Sequence, residues 1–198
     1  MTYMKKFFGH LNTVLKHKWW VFYYCCKAGI PWRGLMHDLS KFHPVEFLES
    51  VKYYTGTRSP IDACKEENGY SAAWMHHKGV NKHHYEYWQD YFDFGGIAVE
   101  MPYEYTIEML CDNLGASRAY NGKDFSFEKV LEWWEKKKEN CAMHEFQKEF
   151  LDQAFHHLND GMHFNAYNLC FLYTLLKAGF IEEGETYGES NWATKEKR

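Results

Sequence analysis

Apolar positions recur every three or four residues in one segment of this chain after another, and nowhere do they alternate over the length of a strand. Phe7, Leu11, Val14, Leu15, Trp19, Val21 and Phe22 mark one long helix over residues 2 to about 27. His10 and His17 stand seven apart, two turns along one face, so one of them can point inward. Gly29 stops that run, Pro31 opens a second helix that carries His37 and Asp38, and Pro44 ends it. A helix over residues 45–54, a turn around Gly56 and Pro60, and a short helix to residue 67 come next. Ser71 then caps a third long segment, which runs through His76, His77, His83 and His84 to Trp88. Gly79 inside it can interrupt the helix and let the two histidine pairs point differently.

Gly95, Gly96 and Pro102 bound the following loop, and residues 103–117 read as a helix with Glu108 and Asp112 one turn apart on one face. Asp112 lies among Met109, Leu110, Cys111, Leu114 and Ala116, so it either faces solvent or is compensated inside. Residues 125–140 and 143–158 are amphipathic, and a last apolar helix over residues 166–177 ends at Gly179. Without a strand pattern, a repeat or a linker, the expectation is one all-α domain over residues 1–182, followed by a mobile polar tail over 183–198.

Composition adds an aromatic core. Fifteen Tyr, fifteen Phe and eight Trp in 198 residues imply packing on large rings, many with a polar edge at a wet surface or cavity. A net charge of -4 offers no field for nucleic acid or an anionic membrane, so neither is expected as a partner. The six cysteines show no C-x-x-C spacing and read as buried free thiols of a reducing compartment. No secretory leader and no run of eighteen apolar residues stands out, which makes the cytoplasm the expected location.

The chemistry gathers at Arg33-Gly34-Leu35-Met36-His37-Asp38-Leu39-Ser40-Lys41-Phe42. An adjacent imidazole and carboxylate suit a divalent transition metal holding a phosphate oxygen. Four histidines within residues 76–84 extend the inventory, whereas His43, His144, His156, His157 and His163 read as surface or packing residues.

Together these residues resemble the HD superfamily of metal-dependent phosphohydrolases, in which a His, a His-Asp pair and a later Asp follow in order. The HD-GYP type is the nearest in pattern. His37-Asp38-Leu39-Ser40-Lys41 is similar to its His-Asp-Ile-Gly-Lys, and His76-His77 or His83-His84 to its His-His pair. Asp112-Asn113-Leu114-Gly115-Ala116-Ser117-Arg118-Ala119-Tyr120, with Phe125-Ser126-Phe127-Glu128 after it, resembles its Asp-Ala-Leu-Thr-Ser-x-Arg-Pro-Tyr block and the Ser-Phe-Glu-Glu beyond. Lys78-Gly79-Val80 and Tyr85-Glu86-Tyr87 stand where that type has Gly-Tyr-Pro, so its cyclic-dinucleotide substrate is not carried over. The resemblance covers about residues 10–135 and leaves the C-terminal helices unexplained; the whole chain also resembles a small bacterial family with no reaction assigned to it.

The resemblance implies an HD-like helical bundle with additional C-terminal helices. It places a first metal on His17, His37, Asp38 and Asp112, with Asp38 bridging to a second ion on His77, His83 or His84. His17 leads by its His-x-x-x-Val pattern, and His10 is the alternative by its interval to His37. One or two ions of Fe, Mn, Zn or Ni are implied, with Lys41 and Arg118 as phosphate clamps and a small phosphorylated molecule, a nucleotide or another ester, as substrate. The same ligand set leaves two rival functions: an oxygen-activating di-iron enzyme of this fold, and a metal-binding protein without turnover.

Overall fold

The computed structural model describes residues 1–92 and 95–191. Nine α-helices span these described residues, with short 3₁₀ turns between them and one hairpin. The first helix, α1 (Tyr3–Lys27), buries His10, Val14, His17, Val21, Tyr24 and Cys25, a stripe at three- and four-residue spacing. Both histidines of that helix therefore point inward, not one of them.

After α1 come α2 (Pro31–Met36), α3 (Pro44–Tyr53), α4 (Pro60–Asn68) and α5 (Ala72–Val80). Prolines open three of these four, at the position where a missing N–H is harmless; Pro44 thus begins a helix instead of ending one. Ser71 caps α5 as expected, its hydroxyl accepting from the Trp74 N–H at 3.0 Å. Gly79 does not break α5. The helix ends at Val80, where the Asn81 side chain donates to the His77 carbonyl at 2.8 Å and to the Ser40 hydroxyl at 2.7 Å.

Strands β1 (Gln89–Phe92) and β2 (Gly95–Ala98) pair antiparallel, with Gln89 opposite Ala98, where the sequence pattern indicated only a loop. Four residues each, one strand beginning Gly-Gly, are too short for an alternation to register. The helix α6 (Tyr103–Asn121) runs four residues past the expected end. Beyond it lie α7 (Phe127–Lys137), α8 (Glu145–Asn159) and α9 (Ala166–Asn191). Gly179 keeps an ordinary helical φ and does not stop α9. Of the expected tail, residues 192–198 lie outside the described residues.

The main core joins α1, α6, α7, α8 and α9 through Val21, Leu110, Leu114, Val130, Trp134, Phe150, Leu151, Phe155 and Leu169. Trp134 keeps its polar edge satisfied by donating to Asp152 at 2.9 Å. The approach of α1 to α6 is close. A Cβ on Gly115 would meet Val21 Cγ2 at 2.5 Å and its backbone nitrogen at 2.9 Å, so only glycine permits it. Gly115 lies one turn past Asp112 and Val21 one turn past His17, and the same contact brings those two side chains together. Of the six cysteines, Cys25, Cys64, Cys111 and Cys141 are buried free thiols, while Cys26 and Cys170 are exposed.

Candidate metal centre

The His37-Asp38 pair sits on a turn, not inside a helix. α2 stops at Met36, His37 takes φ -52 and ψ 130, and Asp38 adopts a left-handed φ of 53 before the 3₁₀ turn Leu39–Phe42. Asp38 is the one non-glycine residue with positive φ among the described residues, a conformation Asp tolerates better than most side chains. In a helix, neighbouring side chains diverge by about 100°. The turn removes that divergence and aims imidazole and carboxylate at one point. Lys18 on α1 ties the turn down by donating to the His37 carbonyl.

Around Asp38 two groups of ligand atoms overlap. His17, His37, Asp38 and Asp112 form one, and Asp38, His77, His83 and His84 the other; within each, the atoms lie within 4.8 Å of one another. In the first, His17 Nε2 is 3.1 Å from Asp112 Oδ1 and 3.3 Å from His37 Nε2, which is 3.2 Å from Asp38 Oδ2. In the second, His77 Nε2 and His83 Nε2 are each 3.4 Å from Asp38 Oδ1. The two carboxylate oxygens of Asp38 thus face different groups. His37 and Asp38 are each only 1% exposed. Asp38 Oδ1, Asp38 Oδ2, His83 Nε2 and His84 Nε2 are all buried without a hydrogen-bond partner, which is unfavourable unless something else binds them. Donor atoms so arranged could hold a metal ion.

Behind the ligands stand two glutamates that the sequence pattern did not single out for this task. Glu108 accepts from His37 Nδ1 at 3.0 Å, lies 3.4 Å from His83 Nδ1, and takes the Arg33 Nε–H at 2.7 Å. Glu46 accepts from His77 Nδ1 at 2.8 Å and His76 Nδ1 at 2.6 Å. Holding each Nδ1 turns the Nε2 edge of His37, His77 and His83 inward. The one available signal was Glu108 a turn before Asp112 on the same face; Glu46 offered none. His76 is turned away from the cluster, between Glu46 and the stacked ring of His43, 4.6 Å away.

Electrostatics follow from this packing. Burial would raise the carboxyl pKa values, yet the neighbouring histidines and Lys41 hold Asp38 and Asp112 well below the usual range. Glu108 is buried too, but its bonds from His37 and His83 hold it down at about 2. Burial lowers His83 and His84, keeping them neutral, whereas the acids around His37 outweigh its burial and hold it well above an ordinary histidine.

Of the residues singled out by sequence, the turn at His37-Asp38, α1, α5, the short stretch after α5 and α6 bring His17, His37, Asp38, His77, His83, His84 and Asp112 together. His10 is buried on α1 but pairs with the rings of Phe47 and Tyr54, outside both ligand groups, which leaves His17 as the leading histidine. Lys41 Nζ reaches Asp38 Oδ2 at 2.6 Å, off the axis of a hydrogen bond. Arg118 is not brought in. Six residues after Asp112 it has rotated away around α6, and its guanidinium lies over Trp20 at 4.6 Å and Phe125 at 4.4 Å, so it packs aromatic rings instead of facing the cluster.

Two openings reach the ligands. One, about 280 Å³, lies on the Glu108 side between Trp32, Arg33, Lys82 and Tyr105. The other, about 200 Å³, is bordered by His17, Asp112, His77 and His84 from both groups, together with Lys41 and the aromatic residues Tyr54, Trp74 and Tyr120.

Fold and site define an all-α protein with a buried His/Asp cluster able to hold metal. Residues 6–160 match the family described as "Family of unknown function (DUF5662)", and the chain belongs to that family. No curated protein and no solved structure matches it. Among the described residues no helix is long and apolar enough to cross a membrane.

Proposed function

We propose that this protein is a metal-dependent phosphohydrolase acting on a small phosphate ester. The observation that carries the reading is the pair of ligand groups sharing Asp38, with a lysine at its edge and a cavity bordered by both groups. His17, His37, Asp38 and Asp112 would hold one divalent ion, and Asp38, His77, His83 and His84 a second. Such ions supply a hydroxide nucleophile at neutral pH and positive charge for the phosphoryl oxygens. The chain does the rest. Glu108 and Glu46 orient the imidazoles, and Lys41, its pKa raised by Asp38 and Asp112 against the effect of burial, stays cationic beside the cavity to balance charge on the ester.

Elemental analysis of protein never exposed to chelator, together with a phosphatase screen, tests this. About two metal ions per chain with ester hydrolysis is expected. Two irons without hydrolysis would favour the oxygen-activating reading, which the mixed imidazole and carboxylate set also suits; no bound metal would refute both.

A further inference from the structure

The two openings onto the cluster differ in what they can hold. On the Glu108 side, the Arg33 guanidinium is already committed: its Nε donates to Glu108 and its plane stacks over Tyr105 at 3.9 Å. The Lys41 side is different. There the wall joins ligands of both groups to aromatic rings and to hydroxyls, among them Thr13 and Tyr54, whose oxygens lie 3.3 Å apart. His10, its ring 5.1 Å from that of Phe47 and 6.0 Å from that of Tyr54, also lines that cavity.

Size and charge then limit the occupant. A cavity of about 200 Å³ lies below the roughly 300–1,000 Å³ that encloses a drug-sized ligand. Among the described residues lining it, Lys41 is the one lysine or arginine, and its ammonium is shared with Asp38. A triphosphate tail would bring several negative charges to one partly engaged cation and to the carboxylates of Asp112 and Glu46 on the same wall. A single phosphate brings fewer negative charges past those carboxylates and can sit against Lys41. The Tyr54, Trp74 and Tyr120 side chains form a partly apolar wall beyond it, suited to one ring and not to a base joined to a sugar.

We infer that the cavity on the Lys41 side takes a compact phosphomonoester, one phosphate on a ring-sized alcohol, and excludes nucleoside triphosphates; the inference rests on the phosphohydrolase reading. In the reaction a water oxygen bonds to phosphorus as the bond from phosphorus to the alcohol oxygen breaks. One water proton ends on the departing oxygen, and the products are the alcohol and inorganic phosphate. Tyr120 and Ala116 line both this cavity and the neighbouring one of about 280 Å³ next to Trp133, so removing the half-exposed Tyr120 ring would open the first toward the second.

The test uses the full chain loaded with Mn²⁺, with phenyl phosphate, 1-naphthyl phosphate and a nucleoside 5′-triphosphate as probes, reading both hydrolysis and calorimetric binding. Phenyl phosphate should show a kcat/KM at least 100-fold above the triphosphate. Tyr120→Ala should shift the kcat/KM ratio of naphthyl to phenyl phosphate at least tenfold toward the larger ester, with metal content unchanged. Equal or better turnover of the triphosphate, or a ratio unmoved by Tyr120→Ala, would overturn the inference. Hydrolysis of none of the three, with phenyl phosphate still binding more tightly than the triphosphate, would refute the hydrolase reading while supporting the cavity assignment. Loss of both hydrolysis and phenyl phosphate binding would overturn the cavity assignment as well.

Discussion

Glu108→Gln isolates what the carboxylate behind the ligands contributes. The substitution keeps the shape of the side chain, but a carboxamide has one acceptor oxygen where Glu108 uses two. Glu108 Oε1 receives His37 Nδ1 at 3.0 Å with His83 Nδ1 at 3.4 Å, and Oε2 receives Arg33 Nε at 2.7 Å. With the amide oxygen toward the histidines, its NH₂ faces the Arg33 donor; flipped, it faces two imidazoles that must then turn or change tautomer. Either orientation removes at least one charge-assisted bond, worth about 1.5–3 kcal/mol. Loss of such a partner lowers metal affinity about 10–100-fold, or about 1.4–2.7 kcal/mol. Since His37 belongs to one ligand group and His83 to the other, both binding events should weaken. Glu46→Gln is the contrast, because Glu46 touches the cluster through His77 and should weaken the second group alone. Calorimetric titration of metal-free protein with Mn²⁺ resolves the two events, with circular dichroism to confirm folding. Two constants within twofold of wild type in folded Glu108→Gln protein would refute the argument.

Further outcomes follow from the same geometry. Lys41→Met should keep full metal content and slow ester hydrolysis roughly a hundred- to a thousandfold, about 2.7–4 kcal/mol, in steady-state assays; wild-type rates would remove Lys41 from the phosphate clamp, and metal loss would show that it holds Asp38 in place. Asp38→Asn and Asp38→Ala should both lose metal in equilibrium dialysis, and because position 38 has a left-handed φ of 53 the alanine variant should also be about 1–2 kcal/mol less stable than the asparagine one by denaturant melting. His10 supplies a pH signature: burial, with the Lys41 charge nearby, lowers its pKa from 6.5 to about 4, so the unfolded chain binds the proton more readily. Stability from this group is complete above about pH 6.5 and is lost as pH falls toward about 4, a loss of about 1.4 kcal/mol by pH 5.5. His10→Phe should therefore lose less melting temperature than wild type between pH 7.5 and 5.5, by about 3–6 °C; parallel curves would show that His10 does not titrate this way.

Helical periodicity by itself determined the all-α class and most of the helix positions, because a buried stripe at three- and four-residue spacing leaves its mark on local sequence whatever it packs against. Residue chemistry pointed to a metal site at the His-Asp pair and the cluster of histidines, and the motif resemblance added His17 and Asp112 to it. Tertiary structure decided how they meet. Whether Asp112 on the centrally packed α6 faced solvent or the cluster depended on the Gly115–Val21 contact, which joins residues far apart in the chain. Local pattern placed His37 and Asp38 on a helix, but the left-handed turn at Asp38 is held by Lys18 from α1, a contact no window of sequence contains. The same reason explains Arg118: its match to a motif carried no information about the Trp20 and Phe125 rings that draw it aside. Glu46, ordinary on the face of an amphipathic helix, acquires its task only when α5 is laid against α3 and His77 comes within hydrogen-bonding reach.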